Sequence, residues 1–251
     1  MNSGSGRRIK SAENSFRVVD FLHERQRATL GEIADHLDLS KSTTHSYLET
    51  LVHLELVRKV DDEYELGLKF LDYGGRARTR SDLFMAAKPQ LRTLHSETEQ
   101  TVHLAVEEYE DLVLLERINP DESVGFGAHA GHRDHFHTPA LGKAILAYLP
   151  EEKVDSILSK HGMSGMTDRS ITSREELEDE LERIREQGFA VNDEEEHRNY
   201  KGIARPLLVE EEIRGAISVA GPKTEIEMNE DEIHDLLRSA ADRIEIKLQY
   251  D

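Results

Sequence analysis

The sequence predicts an α+β protein built in two parts, and three observations carry that prediction. Residues 29–56, TLGEIADHLDLSKSTTHSYLETLVHLEL, hold two short amphipathic helices on either side of a tight turn. A short hairpin with basic residues along its edge follows directly. From Thr101 the apolar period changes from helical to extended, in β-rich runs separated by acidic turns and flanked by helices. The first two features make a winged helix-turn-helix. The third makes an α+β domain with one mostly antiparallel sheet.

Ser11 to Arg25 reads as a first helix, with Phe16, Val19, Phe21 and Leu22 apolar. Arg17, near its start, is either within reach of a phosphate or simply solvated. In the next helix Leu30, Ile33, Ala34 and Leu37 recur at spacings of three and four, which keeps one face apolar. Asp38-Leu39-Ser40 breaks it, and Ser40 is placed to cap the following helix by accepting from an orphan amide. That helix runs from Lys41 to His53, with Leu48, Leu51 and Val52 expected inward. Its opposite face at the N-terminal end is Lys41, Ser42, Thr43, His45 and Ser46: small, hydroxylated and cationic. Such a surface enters a major groove and meets phosphates and base edges without steric conflict. Two strands around the polar turn Asp61-Asp62-Glu63 form the wing, residues 58–65, where Arg58 and Lys59 are placed to hold phosphates. A helical bundle that binds nothing shows similar apolar spacing; the hairpin, the capped second helix and the basic positions together favour DNA.

Beyond the wing, Asp72 to Ser81 contains paired glycines and alternating arginines, the marks of a boundary or hinge. Leu83, Phe84 and Ala87 return to helical spacing, and Pro89 is expected to open a fresh helix reaching Thr98. Residues 102–106 and 112–118 read as strands joined by an acidic hairpin. Pro139 to Leu149 reads as a helix closed by Pro150. Ser173 and Glu176 form a capping box for a helix ended by Gly188. Residues 189–191 are extended, and 202–208 and 213–220 are strands around Glu210-Glu211-Glu212. Asn229 to Tyr250 closes the chain as an amphipathic helix with Ile233, Leu236, Leu237, Ala240, Ile244 and Leu248 inward.

The 251 residues suffice for two domains with adequate cores. No run of about 18 apolar residues suggests a transmembrane helix, and the first residues lack the apolar centre of a signal peptide. With no cysteine there is no disulfide, thiolate ligand or thiol-based redox sensing. A cytoplasmic protein is expected. The net charge of −19 is distributed unevenly: residues 1–80 carry 13 Lys+Arg against 13 Asp+Glu, and residues 81–251 carry 19 against 38. A neutral front that binds nucleic acid and an acidic rear that does not fit this split. With 11 Lys against 21 Arg and acid along almost every polar stretch, the chain suits the very high salt of a halophile, where self-repulsion is screened.

Seven segments, in order, carry a family resemblance: Leu30-Gly31-Glu32-Ile33-Ala34, Leu39-Ser40-Lys41-Ser42-Thr43-Thr44-His45, Tyr64-Glu65-Leu66-Gly67, Thr101-Val102-His103-Leu104-Ala105, Ala140-Leu141-Gly142-Lys143-Ala144, Gly188-Phe189-Ala190-Val191-Asn192-Asp193-Glu194-Glu195 and Ala216-Ile217-Ser218-Val219-Ala220-Gly221-Pro222. Over nearly all of residues 11–250 the chain resembles the IclR-type transcriptional regulators. The resemblance implies a winged-helix DNA-binding domain (11–68), a linker and dimerisation helix (69–88) and a GAF-like effector-binding domain (89–250). It also implies dimers or dimers of dimers that control catabolic operons as repressors or activators, with no cofactor. Carried over by position, the effector pocket is walled by His137, Ala140 and Leu141, facing Asn192, Gly202, Ala204 and Ser218. Gly202 replaces the family's usual cysteine, and Asn192 its usual aspartate. Residues 196–201, EHRNYK, replace an acidic, glycine-containing run, and Arg205 stands where a small residue is usual. A carboxylate removed and cations added imply an anionic effector, such as a sugar acid or other carboxylate, held by charge-assisted hydrogen bonds.

Residues 127–137 place His129, His132, His135 and His137 with Asp134 in one short stretch. Three imidazoles and a carboxylate would suffice for zinc, with His103 from a neighbouring strand, but the spacing fits no compact metal motif. No metal is assigned; a metal-responsive regulator using His129, His132 and His135 is an alternative, and an architectural DNA-binding protein with a vestigial sensor is another. No nucleophile elbow, phosphate loop or metal-hydrolase spacing occurs, so no enzyme is expected. The reading is a metabolite-controlled regulator on a pseudo-palindromic operator, its partners being double-stranded DNA, a small effector and further copies of itself.

Overall fold

The computed structural model describes residues 8–119 and 129–250, and the chain divides into two compact units, residues 1–77 and 78–251. The first unit contains α1 (Lys10–Arg25), β1 (Ala28–Thr29), α2 (Leu30–Leu37), α3 (Lys41–His53), β2 (Val57–Val60) and β3 (Glu63–Leu66). Its strands form an antiparallel sheet of order β1-β3-β2. The core gathers Val18, Leu22, Ile33, Leu37, Leu48, Leu51, Val57 and Tyr64. In α1 the buried stripe runs through Asn14, Val18, Phe21 and Leu22, and the apolar Phe16, on the far side of the helix, is 60 % exposed. One residue expected inward is not there. Val52 is 38 % exposed, and Thr44, one helical repeat before Leu48 and Leu51, occupies the inner stripe instead.

Caps set both helices of the helix-turn-helix. Thr29 and Glu32 form a reciprocal capping box at α2: the Glu32 amide donates to Thr29 Oγ1 at 3.4 Å, and the Thr29 amide donates to Glu32 Oε2 at 2.7 Å. Asp38 closes α2 at φ 54°, and Ser40 Oγ accepts from the Thr43 amide at 3.2 Å to open α3.

The stretch from Asp72 to Ser81, read as a boundary or hinge, contains the division between the units, and its glycines Gly74 and Gly75 lie within a helix, α4 (Lys69–Thr79), where an Arg76–Asp72 pair at 3.2 Å spans them. One expectation for the following segment is corrected. Pro89 lies inside α5 (Asp82–Thr98) and does not open it; Ser81 caps that helix. The proline forgoes one backbone bond, but Leu83, Phe84, Ala86, Ala87, Leu91 and Leu94 are buried on either side of it and hold the helix through that position.

The second unit continues with β4 (Thr101–Glu108), β5 (Asp111–Ile118), β6 (Arg133–Asp134), α6 (Ala140–Leu146), α7 (Glu151–His161), α8 (Arg174–Gln187), β7 (Ala190–Asp193), β8 (Tyr200–Val209), β9 (Glu212–Pro222), α9 (Lys223–Met228) and α10 (Glu230–Tyr250). Helices α7 and α9 were not expected, and α6 ends three residues before the expected Leu149. All strand pairs are antiparallel, in the order β6-β5-β4-β9-β8-β7. The two-residue turns Tyr109-Glu110 and Glu210-Glu211 have φ of 54°, 67°, 52° and 66°, the left-handed geometry whose twist matches tight hairpins. Alternation along the strands gives the sheet two different faces. Val102, Leu104, Ile203, Leu207, Ile217 and Val219 pack with α5 and α10. Ala105, Ala190, Ala204 and Ala216 pack with α6 and α8. Small residues on the second face let α6 approach closely.

Gly142 marks a separate close approach, of α6 to the loop that precedes it: a Cβ there would lie 2.3 Å from the Phe136 carbonyl oxygen. Overpacking of this kind costs about 1–3 kcal/mol. Gly142→Ala is therefore expected to lower the thermal unfolding midpoint by several degrees in calorimetry, and an unchanged midpoint would show that the 136 backbone yields freely.

Candidate functional site

The first unit presents the exposed N-terminal end of α3. Lys41, Ser42, Thr43, His45 and Ser46 are all exposed, as is the capping Ser40. The hydroxyls of this turn are ordered by one another: Ser40 Oγ lies 3.0 Å from Ser42 Oγ and 2.8 Å from Thr43 Oγ1. Ser46 donates to the Ser42 carbonyl at 3.2 Å, and His45 Nδ1 is 3.5 Å from Glu49. Behind this face, Asn14 of α1 is buried; it donates to Tyr47 of α3 at 3.3 Å and accepts from Arg17 at 3.4 Å. Arg17 is thus tied through Asn14 to the helix whose surface is in question. At the wing, Arg58 pairs with Glu65, and Lys59 sits 5.8 Å from the Tyr64 ring centroid.

The second unit contains a cavity of about 290 Å³ between α6 and the alanine-lined face of the sheet. His103, Ser218 and Arg117 lie in one cross-strand row, since His103 is the register partner of both others. His103 Nδ1 and Ser218 Oγ are 3.2 Å apart. Burial, and then the charge of Arg117, push the His103 imidazole down to about 3, so it is neutral. Asn192 organises the far wall. Its Oδ1 accepts from the Glu195 amide at 2.9 Å and its Nδ2 donates to the Glu196 carboxylate. Burial first, then the neighbouring Asp134, push Glu196 up to about 8. Glu195 is pushed up to about 7 by burial, against the opposing pull of Lys143. That lysine is buried on α6 and reaches both Glu195 and, at 3.0 Å, Glu180. The cavity is thus a small space that brings together Arg117, Asp134 and a second carboxyl group, Glu196, inclined to stay protonated.

The match to known proteins is continuous along both units. Residues 11–61 match the IclR helix-turn-helix domain, and residues 76–246 match the bacterial transcriptional regulator IclR C-terminal domain. The chain belongs to the IclR family. An IclR-family protein of Halobacterium salinarum, described as the probable HTH-type transcriptional regulator ArcR, is 34% identical over 99% of this chain and 97% of its own length. The HTH-type transcriptional regulator KdgR of Dickeya chrysanthemi is 28% identical over 96% of this chain and 81% of its own. The crystal structure of the Thermotoga maritima IclR superposes with a TM-score of 0.79 at 27% identity, covering 97% of this chain and 100% of that one. IclR proteins are transcriptional regulators and not enzymes.

Within this IclR chain, the residues expected around the effector separate by position. Ala140, Leu141, Asn192, Gly202 and Ser218 line the cavity. His137 does not: it is buried behind it, with Nε2 3.1 Å from the Ser164 carbonyl oxygen. Ala204 is fully buried in the core beneath the cavity. Arg205 follows Ala204 on β8 and so projects from the opposite face, where its charge acts on His234 and Glu245. The other cations of the replaced run are also engaged elsewhere, Arg198 with Asp168 at 3.0 Å and Lys201 with Glu230 at 2.8 Å. The histidines do not converge. His129 is exposed, His132 lines the cavity and His135 packs its ring on His161; among the described residues no group of three or more His, Asp or Glu is placed to hold a metal ion. Residues 127 and 128 of that stretch lie outside the described residues. His103, Arg117, Asp134, Glu196 and Tyr200 line the cavity without having been singled out for it. The available signal was a polar side chain at the alternating position of an otherwise apolar strand, as at His103 and Arg117.

The raised carboxyls fix a pH dependence. Their folded-state values lie above the ordinary 4.5, so these two groups hold protons that the unfolded chain has released, and their contribution to stability falls as pH rises from about 5 to 8, while the depressed His103 contributes in the opposite direction below about 6.5. Glu196→Gln is expected to flatten this fall. Its thermal midpoint should match that of the unaltered chain near pH 5 and exceed it near pH 8; parallel curves would remove Glu196 from this role.

Proposed function

We propose that this regulator binds a pseudo-palindromic operator as a dimer or dimer of dimers, and that a small carboxylate metabolite, such as a sugar acid, sets its occupancy. In this reading residues 11–68 read DNA, 69–88 link and dimerise, and 89–250 sense the effector. Helix α3 enters the major groove with Lys41, Ser42, Thr43, His45 and Ser46, while Arg17, Arg58 and Lys59 contact the backbone. Symmetric half-sites follow from a two-fold assembly of such heads.

The cavity beside Arg117 carries the effector half of the proposal. At about 290 Å³ it is near the lower end of ligand-site volumes, which suits a metabolite of a few carbons better than a nucleotide. Arg117 supplies the planar donor that carboxylates prefer. Glu196, held protonated around neutral pH by its burial and by Asp134, brings no negative charge against an anion there and offers a hydrogen bond to a hydroxyl or carboxylate oxygen. Ser218 and Asn192 add neutral polar groups. The effector need only favour one arrangement of the reading heads by a few kcal/mol to change operator occupancy substantially.

A thermal-shift screen of sugar acids and short carboxylates against the full chain tests this. A true effector raises the midpoint with dose, by about 2.7 kcal/mol of stabilisation at a hundred times its Kd, and its neutral sugar counterpart does not. Arg117→Gln should abolish the shift, as should Gly202→Val, since even a Cβ at Gly202 would lie 3.3 Å from that of Ala220 and 4.0 Å from that of Ala140. Silence across the panel, with genomic occupancy indifferent to carbon source, would leave a constitutive DNA-binding protein instead.

A further inference from the structure

The outer face of the wing sheet carries a row of three charged side chains that the reading above only partly uses. Arg58 on β2 stands directly opposite Glu65 on β3. On the other side of β3, Ala28 pairs with Tyr64, and continuing that register one residue back brings Arg27 opposite Glu65. The carboxylate bonds both arginines, accepting from Arg27 Nε at 2.6 Å through Oε2 and from Arg58 Nε through Oε1. Its side chain is only 14% exposed, whereas those of Arg27 and Arg58 are 53% and 61% exposed. Arg27 is further fixed by its place between α1 and β1, directly after Gln26, which turns the chain at φ 66°.

Each guanidinium is gripped by Nε, the nitrogen nearest the chain. Neither arginine has another ion pair or hydrogen bond among the described residues, so the terminal nitrogens of both face solvent as donors. One carboxylate between two guanidiniums leaves a net positive charge, in two forks whose geometry matches phosphate oxygens. Hydrogen bonding from Arg58, joined by Arg27, holds Glu65 below the ordinary carboxylate range, so it remains ionised at neutral pH. The tip of the same wing is acidic, with Asp61, Asp62 and Glu63, and would be repelled by a phosphate backbone. The base of the wing is therefore the part suited to meet one.

We propose that Glu65 is a positioning residue for DNA binding, holding Arg27 and Arg58 as a paired clamp on the phosphodiester backbone, with Arg27 a backbone contact outside both the recognition helix and the hairpin. This rests on the DNA-binding reading of the first unit. Pre-orientation matters most in concentrated salt, where screening falls to about 3 Å at 1 M and only contacts already in place retain their strength.

The sign of one substitution separates positioning from simple charge. Removing a carboxylate from a DNA-facing surface should by charge alone tighten binding; removing the residue that orders two arginines should weaken it. Full-length chain, Glu65→Gln, Arg27→Ala and Arg58→Ala are compared by fluorescence anisotropy on a mixed-sequence 30-base-pair duplex across a potassium chloride series, with circular dichroism confirming the fold of each. Arg27→Ala and Arg58→Ala should each make the slope of log K against log salt shallower by about 0.9, the value for one phosphate contact. Glu65→Gln should bind more weakly than the unaltered chain at every salt concentration, with a shallower slope. Equal or tighter binding by Glu65→Gln, or an unchanged slope for Arg27→Ala, overturns the clamp while leaving the DNA-binding reading intact. Failure of the unaltered chain to bind the duplex removes both. Should Glu65→Gln unfold, Glu65→Asp takes its place: it keeps the charge but draws the carboxylate back from both arginines, so weaker binding supports positioning and unchanged binding overturns it.

Discussion

Strand alternation in the six-stranded sheet governs everything the second unit is able to do. Because successive side chains leave opposite faces, β8 sends Gly202 and Ala204 toward α6, and Ile203 and Arg205 toward α5 and α10. β9 does the same with Ser218 and Val219. One face is thereby committed to large apolar residues and a dry core. The other is built from alanines and glycine, and the space they leave becomes the cavity. A one-residue slip in register would exchange the two faces, filling the cavity with Ile203 and Val219 and stranding Ser218 in the core. The β4–β5 and β8–β9 pairs each pass a register irregularity, at Leu104/Ala105 and at Leu207/Leu208.

The polar wall depends on a second constraint, that buried polar groups need partners. Asn192 meets it by bonding the Glu195 amide and the Glu196 carboxylate at once. A carboxylate at position 192 would accept from the amide equally well, but it would have no N–H to donate to Glu196 and would add a negative charge to that wall. The neutral amide is what lets two acids follow it. Lys143, buried on α6 and bonded to Glu180 and Glu195, fastens the helix to the same loop. The helix over the cavity and the wall beside it are therefore one hydrogen-bonded unit, and a ligand that shifts either must shift both.

The first unit was largely legible from its residues because its signals are local. The cap at Ser40, the turn at Asp38 and the exposed face of Lys41 to Ser46 require only helical geometry and short-range chemistry. The errors arose where tertiary context overrode local preference. Pro89 read as the start of a fresh helix, but a helix with six buried residues distributed on either side of it tolerates a proline in its interior. Val52 read as interior because it is apolar, whereas Thr44 occupies the inner stripe with Leu48 and Leu51. In the second unit the sheet and both hairpins followed from pattern, while Gly202 and Ser218 came from the family resemblance. The place of Arg205 followed from neither, since its chemistry suited an anion and only the phase of β8 excludes it. Arg117 was hidden for a related reason, because its relation to His103 and Ser218 exists only across paired strands.

Charge sets the terms on which this molecule meets DNA. The acidic balance lies almost entirely beyond residue 80, but the first unit is not a reservoir of free cations either. Arg27 and Arg58 share Glu65, and His45 faces Glu49. Among the described residues, Lys41 is the cation of the exposed α3 turn that has no ion-pair partner. A head organised in this way gains little from diffuse attraction to a polyanion, and in concentrated salt such attraction is weak in any case. What remains is contact at hydrogen-bond range, made by groups whose positions are already fixed. The linked hydroxyls of Ser40, Ser42 and Thr43, the brace from Asn14 to Tyr47 and the gripped arginines at the wing all meet that description. Under the contacts proposed above, ordering by intramolecular bonds takes the place of excess positive charge in a reading head carried by an acidic protein.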